Sequence, residues 1–305
     1  MRDWNLAFRT PSEAPGWQRW LVYSALARVL IFAALVFVFG FLVLIGLHAL
    51  GWSMKTAPPD IKGWSQLIVR TVPTVFAYLI LTRLIERRWP AELAWRKLPA
   101  HASAGLVLGT ILLCTVVGVL WLAGSYHVLD TGGEVHWLAE ILTVGLGAGI
   151  SEEIVFRGVL YRIVEESLGT WIALLVSALA FGAIHLGNPN ATLWSGTAIA
   201  IEAGVLFGLV YHVTRSLWFC MGLHAAWNLM EGPVLGTSVS GLPAQGWVHA
   251  QMSGPDWLSG GSFGPEASLV TPLCSLALAG VFLFIALRRS SIVPPFWARR
   301  AAVAS

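Results

Sequence analysis

Charged side chains are scarce in this sequence. Asp, Glu, Lys and Arg make up only 11% of its 305 residues, whereas 56% of the residues are hydrophobic and the mean hydropathy is +0.71. Soluble globular domains carry about a quarter charged residues, so the composition excludes that class and predicts a multi-pass protein of the cell membrane, in contact with its lipids. The net charge of +3 lies in short connections and forms no basic domain, which excludes nucleic acid as a partner.

Cysteine is also rare. The three cysteines lie singly in separate apolar runs, without the pairing of a disulfide framework or the spacing of a zinc knuckle. We expect Cys114, Cys220 and Cys274 to be buried small hydrophobic residues. The N-terminus lacks a short apolar core followed by small residues, so the first apolar run is interpreted as a retained span and not a signal peptide.

Long apolar runs follow one another along the chain, each about as long as a helix that crosses a bilayer. We predict about eight spans: Tyr23–Leu50, Trp64–Ile85, Ala102–Ser125, Trp137–Val164, Leu168–Leu186, Leu193–Val213, Ser216–Val234 and Ser268–Leu287. No alternation typical of a membrane barrel occurs, so the fold class is all-α, a polytopic transmembrane helical bundle. Neither an inverted repeat nor a soluble second domain is visible, and residues 1–305 are interpreted as a single membrane domain.

The basic residues of the connections predict the orientation of the bundle. With eight spans, almost all of them fall on one side of the membrane, and by the positive-inside rule both termini are cytoplasmic. The charges used are Arg2, Arg9, Arg19, Arg83, Arg87, Arg88, Arg96, Lys97, Arg157, Arg162, Arg215, Arg288, Arg289, Arg299 and Arg300, against Lys55 and Lys62 on the other side. The loop at 235–267 contains no Lys or Arg and is rich in Gly, Ser and Pro, so we expect a non-cytoplasmic loop of partly ordered turns.

Ionisable and amide side chains inside the predicted membrane region are concentrated in spans four to seven. They are Glu152, Glu153, Arg157, His185, Glu202, His212, His224, Asn228 and Glu231. Arg28, Arg70 and Arg83 lie near helix ends, where a long side chain can reach the interface. Because polar groups in the hydrocarbon region are costly to retain, such a concentration indicates a functional site.

The two adjacent glutamates at 152 and 153 have different surroundings in a helix. Glu153 and Arg157 are four residues apart on one face, which predicts a structural ion pair. Glu152 has no local partner, so we interpret it as functional. The same spacing places Phe181 with His185 on one helix face.

His224 and Asn228 share a face of the seventh helix in the same way. Glu152, His185 and His224 reach a common depth if the fourth and fifth helices extend beyond the membrane around Arg162, Glu165 and Glu166. Glu231 is interpreted as a structural partner, and Glu202 and His212 as packing or interface groups.

Three ordered motifs resemble one known family. They are E-E-x-x-x-R at Glu152, Glu153 and Arg157, F-x-x-x-H at Phe181 and His185, and H-x-x-x-N at His224 and Asn228. Together they resemble the CPBP (Abi) intramembrane endopeptidases, which include CAAX prenyl endopeptidases and bacteriocin-processing or immunity proteins. The similarity covers about Leu138 to Met230, which we take as a catalytic core at residues 138–230.

The resemblance implies an intramembrane endopeptidase. Glu152 would activate a water that His185 positions, and His224 and Asn228 would bind the oxyanion of the tetrahedral intermediate. Glu153, Arg157 and Phe181 would support the site. The resemblance also implies a metalloprotease, with Glu152, His185 and His224 as zinc ligands, yet no H-E-x-x-H helix is present and a metal-free glutamate mechanism uses the same residues. The cofactor is therefore none or zinc.

The substrate implied is a peptide or a membrane-protein segment, and the sequence leaves its identity, its prenylation and the oligomeric state open. Two other classes of function also stay open. One is a non-catalytic membrane immunity or interaction protein that keeps the scaffold. The other is a proton-coupled transporter, although the missing repeat and the missing pairs of broken helices disfavour it.

Overall fold

The structure is a computed structural model and describes residues 6–52 and 57–299. Its elements are α1 (Gly16–Leu21), α2 (Ala25–Ala49), α3 (Pro59–Ile85), α4 (Leu98–Leu122), β1 (Tyr126–Thr131), α5 (137–168), α6 (Thr170–His185), α7 (Leu193–Thr214), α8 (217–234), β2 (Val248–Met252), α9 (Asp256–Ser259) and α10 (Val270–Arg288). The predicted helical membrane bundle is confirmed. Arg2, Lys55 and Arg300, three of the charges used for orientation, lie outside the described residues.

Each of the eight predicted spans coincides with a helix, and five of those helices are long and apolar enough to cross a membrane. These five are α2, α3, α4 with the turn before it, α7 and α10. Helix α6 is apolar but has only 16 residues. Helices α5 and α8 carry most of the polar groups, which lowers their hydropathy. The count of eight spans and the orientation of the termini therefore stay predictions.

Four of these helices contain turns with π-type hydrogen bonding. In α5, the π-helical segments Ile141–Gly147 and Ile154–Tyr161 flank the α-helical segment Ala148–Glu153. Helix α7 has a π-helical segment at Ala200–Val205, and α8 ends in one at Met230–Val234. Such segments rotate the following side chains and occur frequently at functional sites. The fourth helix is α3, which ends in a π-helical segment at Leu81–Ile85. In each of α5, α7 and α8, one π-helical segment adjoins or contains a buried glutamate, namely Glu153, Glu202 or Glu231.

Helix α4 packs closely against α8, which holds His224. The closeness depends on Gly109, because a Cβ at this position would stand 2.5 Å from the carbonyl oxygen of Leu223. Gly105, one turn earlier, faces the carbonyl of Phe219 in the same manner. Small residues at this spacing let helix backbones approach each other in membranes. The pair thereby fixes the distance of α8 from the rest of the bundle.

One end of the bundle contains a buried network that we call the ion-pair layer. Its members are Arg28, Glu86, Arg88, Glu92, Arg162, Glu165, Glu166 and Arg215. Arg28 contacts Glu86 at 2.8 Å and Glu166 at 2.7 Å, and its side chain is buried. The expectation that Arg28 reaches the interface is therefore wrong, because two carboxylates from distant parts of the chain hold it inside the protein. His212, expected to be a packing group, lies beside this layer with Nδ1 at 2.8 Å from Glu165 Oε1.

The opposite end contains the only strands among the described residues. Strands β1 and β2 pair in antiparallel register from Tyr126 opposite Met252 to Thr131 opposite Val248, with an irregularity between Val128 and Asp130. The 235–267 segment thus contributes β2, helix α9 and two short 3-10 turns, which is more order than the sequence indicated.

The cysteines have three different environments. Cys220 is buried as expected, Cys274 is partly buried and Cys114 is exposed. The prediction for Cys114 is wrong because its face of α4 is directed out of the bundle. An apolar side chain on such a face is compatible with lipid, so hydrophobicity alone did not distinguish a position facing lipid from a position buried in the bundle.

Candidate active site

One cavity of about 440 Å³ lies inside the bundle. Its lining includes Glu152, His185, His224 and Asn228, the four residues predicted to be catalytic, together with Phe181. They come from α5, α6 and α8, so the fold brings the three sequence motifs to one place. Glu153 and Arg157 lie behind this surface, as expected for residues that support the site.

Glu152 is the acid of the pair that faces the cavity. Its side chain is 25% exposed, whereas that of Glu153 is completely buried. Within the described structure the Oε2 atom of Glu152 has no hydrogen-bond partner, and the nearest cationic nitrogen is His224 Nε2 at 3.9 Å. A carboxylate with a free oxygen in a confined cavity is able to accept a proton from a substrate or a water.

Glu153 holds two groups at once. Its Oε1 accepts a hydrogen bond from Arg157 Nη1 at 2.9 Å, which confirms the predicted ion pair. The same oxygen lies 2.8 Å from His224 Nδ1, a contact that sequence spacing did not reveal. Because the carboxylate accepts from Nδ1, the ring of His224 turns its Nε2 toward Glu152. Glu153 therefore orients a residue of the site as well as its own helix.

Arg157 is enclosed by aromatic rings and by backbone. Its guanidinium donates to the Ala203 carbonyl at 2.6 Å, and its Cζ lies 4.8 Å from the ring centroid of Phe181 and 5.1 Å from that of Phe207. These contacts join α5 to α6 and α7. The partners of Arg157 described here all belong to the protein, so its side chain holds three helices together.

His185 is fixed through its other ring nitrogen. Nδ1 lies 2.7 Å from the Phe181 carbonyl oxygen, which accepts its proton, and the ring packs on Phe181 with centroids 4.7 Å apart. This leaves Nε2 as the nitrogen available for chemistry. The amide of Asn228 donates to the Val144 carbonyl at 3.0 Å, which ties α8 to α5 and sets the orientation of the side chain.

Three further carboxyl groups lie at one side of the cavity. Glu202 and Glu266 line it, and Glu231 lies next to them, with all three side chains buried. Trp227 Nε1 donates to Glu266 Oε1 at 3.1 Å. Glu202 Oε2, Glu266 Oε2 and both oxygens of Glu231 have no hydrogen-bond partner among the described residues.

Glu266 was missed by the sequence analysis. It lies in the turn Pro265–Ala267, in a segment predicted to be a loop outside the membrane. Burial raises the pKa of the Glu266 carboxyl, and the neighbouring His185 opposes this effect. No local sequence signal could have placed it here, because it reaches the cavity through the tertiary packing of its loop.

The predicted zinc ligands do not form a metal site. Among the described residues, no group of three or more His, Cys, Asp or Glu side chains converges to hold a metal ion. Glu152, His185 and His224 share the cavity, and the hydrogen bonds of His224 Nδ1 to Glu153 and of His185 Nδ1 to the Phe181 carbonyl leave the Nε2 atom of each histidine open. The described residues thus offer donor atoms of the kind zinc accepts without bringing three of them together, and the choice between a metal-free and a zinc mechanism stays a prediction.

The helices and the cavity define a helical membrane bundle that encloses a polar cavity. Residues 134–230 match a family model described as Type II CAAX prenyl endopeptidase Rce1-like, which confirms the resemblance to the CPBP/CAAX protease family. The matched segment contains Glu152, His185, His224 and Asn228. No curated protein and no solved structure gave a match.

Proposed function

We propose that this protein is an intramembrane endopeptidase in which Glu152 activates a water molecule. The observation that carries the proposal is the free carboxylate oxygen of Glu152 in a cavity shared with two histidines and an amide. The match of residues 134–230 to a CAAX protease family supports hydrolysis of a peptide bond at this place. Glu202, Glu231 and Glu266 do not match the three motifs, so they have no assigned role in this step.

The proposed reaction begins with proton transfer from water to Glu152 while His185 Nε2 orients the water. The water oxygen then forms a bond to the carbonyl carbon of the substrate. The oxyanion is stabilised by Asn228 and by the Nε2–H of protonated His224, whose positive charge is balanced by Glu153. Collapse of the intermediate breaks the carbon–nitrogen bond, and Glu152 returns the proton to the leaving amine.

The proposed substrate is a peptide or a membrane-protein segment that enters the cavity from the lipid phase. The matched family acts, according to its description, on prenylated CAAX sequences, and a lipid anchor near the cleaved bond is compatible with an apolar bundle. The proposal also includes eight spans with both termini cytoplasmic, which the distribution of Lys and Arg in the connections supports.

The proposal is tested by comparing three strains, each of which expresses one version of the protein. They express the wild-type chain, Glu152→Gln, and Asp60→Asn as a control acid that is exposed at the start of α3. Quantitative proteomics of the membrane fraction should show precursors that accumulate only with Glu152→Gln. A folded Glu152→Gln protein with unchanged processing would favour the non-catalytic immunity or interaction role instead.

A further inference from the structure

The cavity contains a basic side chain from outside the matched family segment. Arg70 of α3 lines it, and no other Lys or Arg does among the described residues, whereas Glu140, Glu152, Glu202 and Glu266 all do. We propose that Arg70 binds a carboxylate of the substrate and so determines which peptides this protein cleaves. This inference rests on the proposed peptidase function and adds a substrate-binding residue to it.

Arg70 occupies the interior of its helix. It follows Trp64 by six residues and precedes the end of α3 by fifteen, so the expectation that it lies near a span end does not describe its position. A Cβ added at Gly147 would lie 3.6 Å from Arg70 Cδ, which shows that the side chain crosses α5 at a residue without a side chain. Gly147 precedes Glu152 by five residues, about 7.5 Å along a helix.

The guanidinium of Arg70 has no partner in the described part of the chain. No hydrogen bond or ion pair joins it to any other described residue. The other arginines inside the bundle are bound: Arg157 by Glu153, and Arg28 and Arg162 by the ion-pair layer. An unpaired cation in a membrane protein normally faces a cavity and marks a substrate path. The partner of Arg70 is therefore expected to arrive with the substrate.

The chemistry of the guanidinium selects the partner. Arginine binds planar carboxylates through two parallel hydrogen bonds, and such charge-assisted bonds are stronger than neutral ones. An extended peptide spans about 3.3 Å per residue, so the carboxylate lies on the order of two or three residues from the cleaved bond. It is either the C-terminal carboxylate of the chain or the side chain of an Asp or Glu.

The experiment uses the precursors that accumulate in the Glu152→Gln strain as probes. Strains with Arg70→Gln, Arg70→Lys and Arg83→Gln are compared for cleavage of these precursors. Arg83 is the matched control because it lies on the same helix, is exposed and stacks on Trp89 outside the cavity. Loss of a charge-assisted contact should slow cleavage about 10- to 100-fold in Arg70→Gln. Arg70→Lys should keep part of the activity, and Arg83→Gln should cleave as fast as wild type.

Changes in the precursor identify the source of the carboxylate without altering the enzyme. One version replaces the nearby Asp or Glu by its amide, and the other extends the C-terminus by several residues. One of them should slow wild-type cleavage as much as Arg70→Gln does, and combining it with Arg70→Gln should add little. These versions decide the question even if Arg70→Gln does not fold.

Failure of the proposed role of Arg70 can be distinguished from failure of the proposed peptidase function. Normal cleavage by folded Arg70→Gln, or normal wild-type cleavage of both altered precursors, overturns the carboxylate role while leaving the peptidase intact. If no precursor accumulates with folded Glu152→Gln, the peptidase function fails first, and the role of Arg70 fails with it.

Discussion

The two ends of this bundle treat the same residue types in opposite ways. In the ion-pair layer, both oxygens of each carboxylate accept at least one hydrogen bond. Glu86, for example, accepts three, from Arg28, Arg88 and Arg162. Around the cavity, Glu152, Glu202, Glu231 and Glu266 have carboxylate oxygens without a hydrogen-bond partner among the described residues, and the guanidinium of Arg70 has no such partner either.

This difference separates the charged residues that hold the fold together from those that are available to a substrate. Buried charges that satisfy one another fix how helices meet but have no capacity left for a substrate. Buried polar groups left without partners destabilise the fold, and a protein retains them where a ligand, a water or a proton completes them. Glu202, Glu231 and Glu266 are as buried as the carboxylates of the ion-pair layer, so for these residues the number of hydrogen bonds, and not burial or residue type, distinguishes the two regions.

The largest expected effect comes from the free oxygen of Glu152. Glu152→Gln preserves the shape of the side chain and removes the proton acceptor, so cleavage should fall by about 10²- to 10⁴-fold. The thermal unfolding midpoint in detergent should stay within about 1 °C of wild type, since Glu152 Oε2 has no hydrogen bond to lose and its nearest ionisable nitrogen, His224 Nε2, is 3.9 Å away. A large fall in the unfolding midpoint would place Glu152 among the structural charges and contradict the comparison.

The second effect concerns the ion-pair layer. Glu86→Ala leaves Arg28 and Arg162 each short of one carboxylate in a buried site, and breaking a buried pair destabilises by about 3–5 kcal/mol. Expression should fall and the unfolding midpoint should drop by several degrees, while cleavage per folded molecule stays normal. The exposed acid variant Asp60→Asn serves as the control, and an unchanged midpoint for Glu86→Ala would show that the layer is dispensable.

The spacing of residues along the sequence predicted the contacts that form within one helix and the residues that share the cavity. The Glu153–Arg157 pair and the shared cavity of Glu152, His185 and His224 followed from four-residue intervals and from the ordered motifs. Arg28 and Arg70 were both interpreted as residues near helix ends.

The sequence could not reveal the contacts between distant parts of the chain. Arg28 meets Glu86 and Glu166, which are 58 and 138 residues away, and Glu266 reaches the cavity from a loop. Such contacts depend on how the helices pack, so neither periodicity nor charge spacing contains them.

The third effect is the pH dependence of the ion-pair layer. Burial alone raises the pKa of Glu86, Glu92 and Glu165, but neighbouring guanidinium groups outweigh it and lower the pKa of all three, that of Glu165 to about 2. Because the folded-state pKa is depressed, the stabilisation is complete well above 4.5 and is lost as the pH falls from there toward 2.

Glu165 should lose about 1 kcal/mol of its contribution by pH 4, and Glu86 and Glu92 should change in the same direction, which lowers the unfolding midpoint by a few degrees. Unfolding curves between pH 7 and pH 4 measure the loss. Glu165→Gln should flatten the dependence, whereas Glu152→Gln should leave it unchanged. A midpoint independent of pH over this range would contradict the assignment of these carboxylates as ionised, paired groups.

The smallest effect has the opposite sign and belongs to the cavity. Glu266 lies with Glu202 and Glu231 in a buried group of carboxyls, and only its Oε1 has a partner, Trp227. In Glu266→Gln the amide oxygen still accepts from Trp227, and the new amide nitrogen can donate to a free oxygen of Glu231. The variant should therefore be more stable than wild type by about 1 kcal/mol, seen as a rise of a few degrees in the unfolding midpoint.

The matched change at the other end, Glu86→Gln, should lower the midpoint, because it replaces a carboxylate that three guanidinium groups share. The two variants exchange the same atoms at similar burial, so a difference in sign isolates the effect of unsatisfied hydrogen bonding. If both variants are destabilised alike, Glu266 is held as firmly as Glu86. The carboxyl group at the cavity would then belong to the scaffold and not to a site that retains unsatisfied groups for its chemistry.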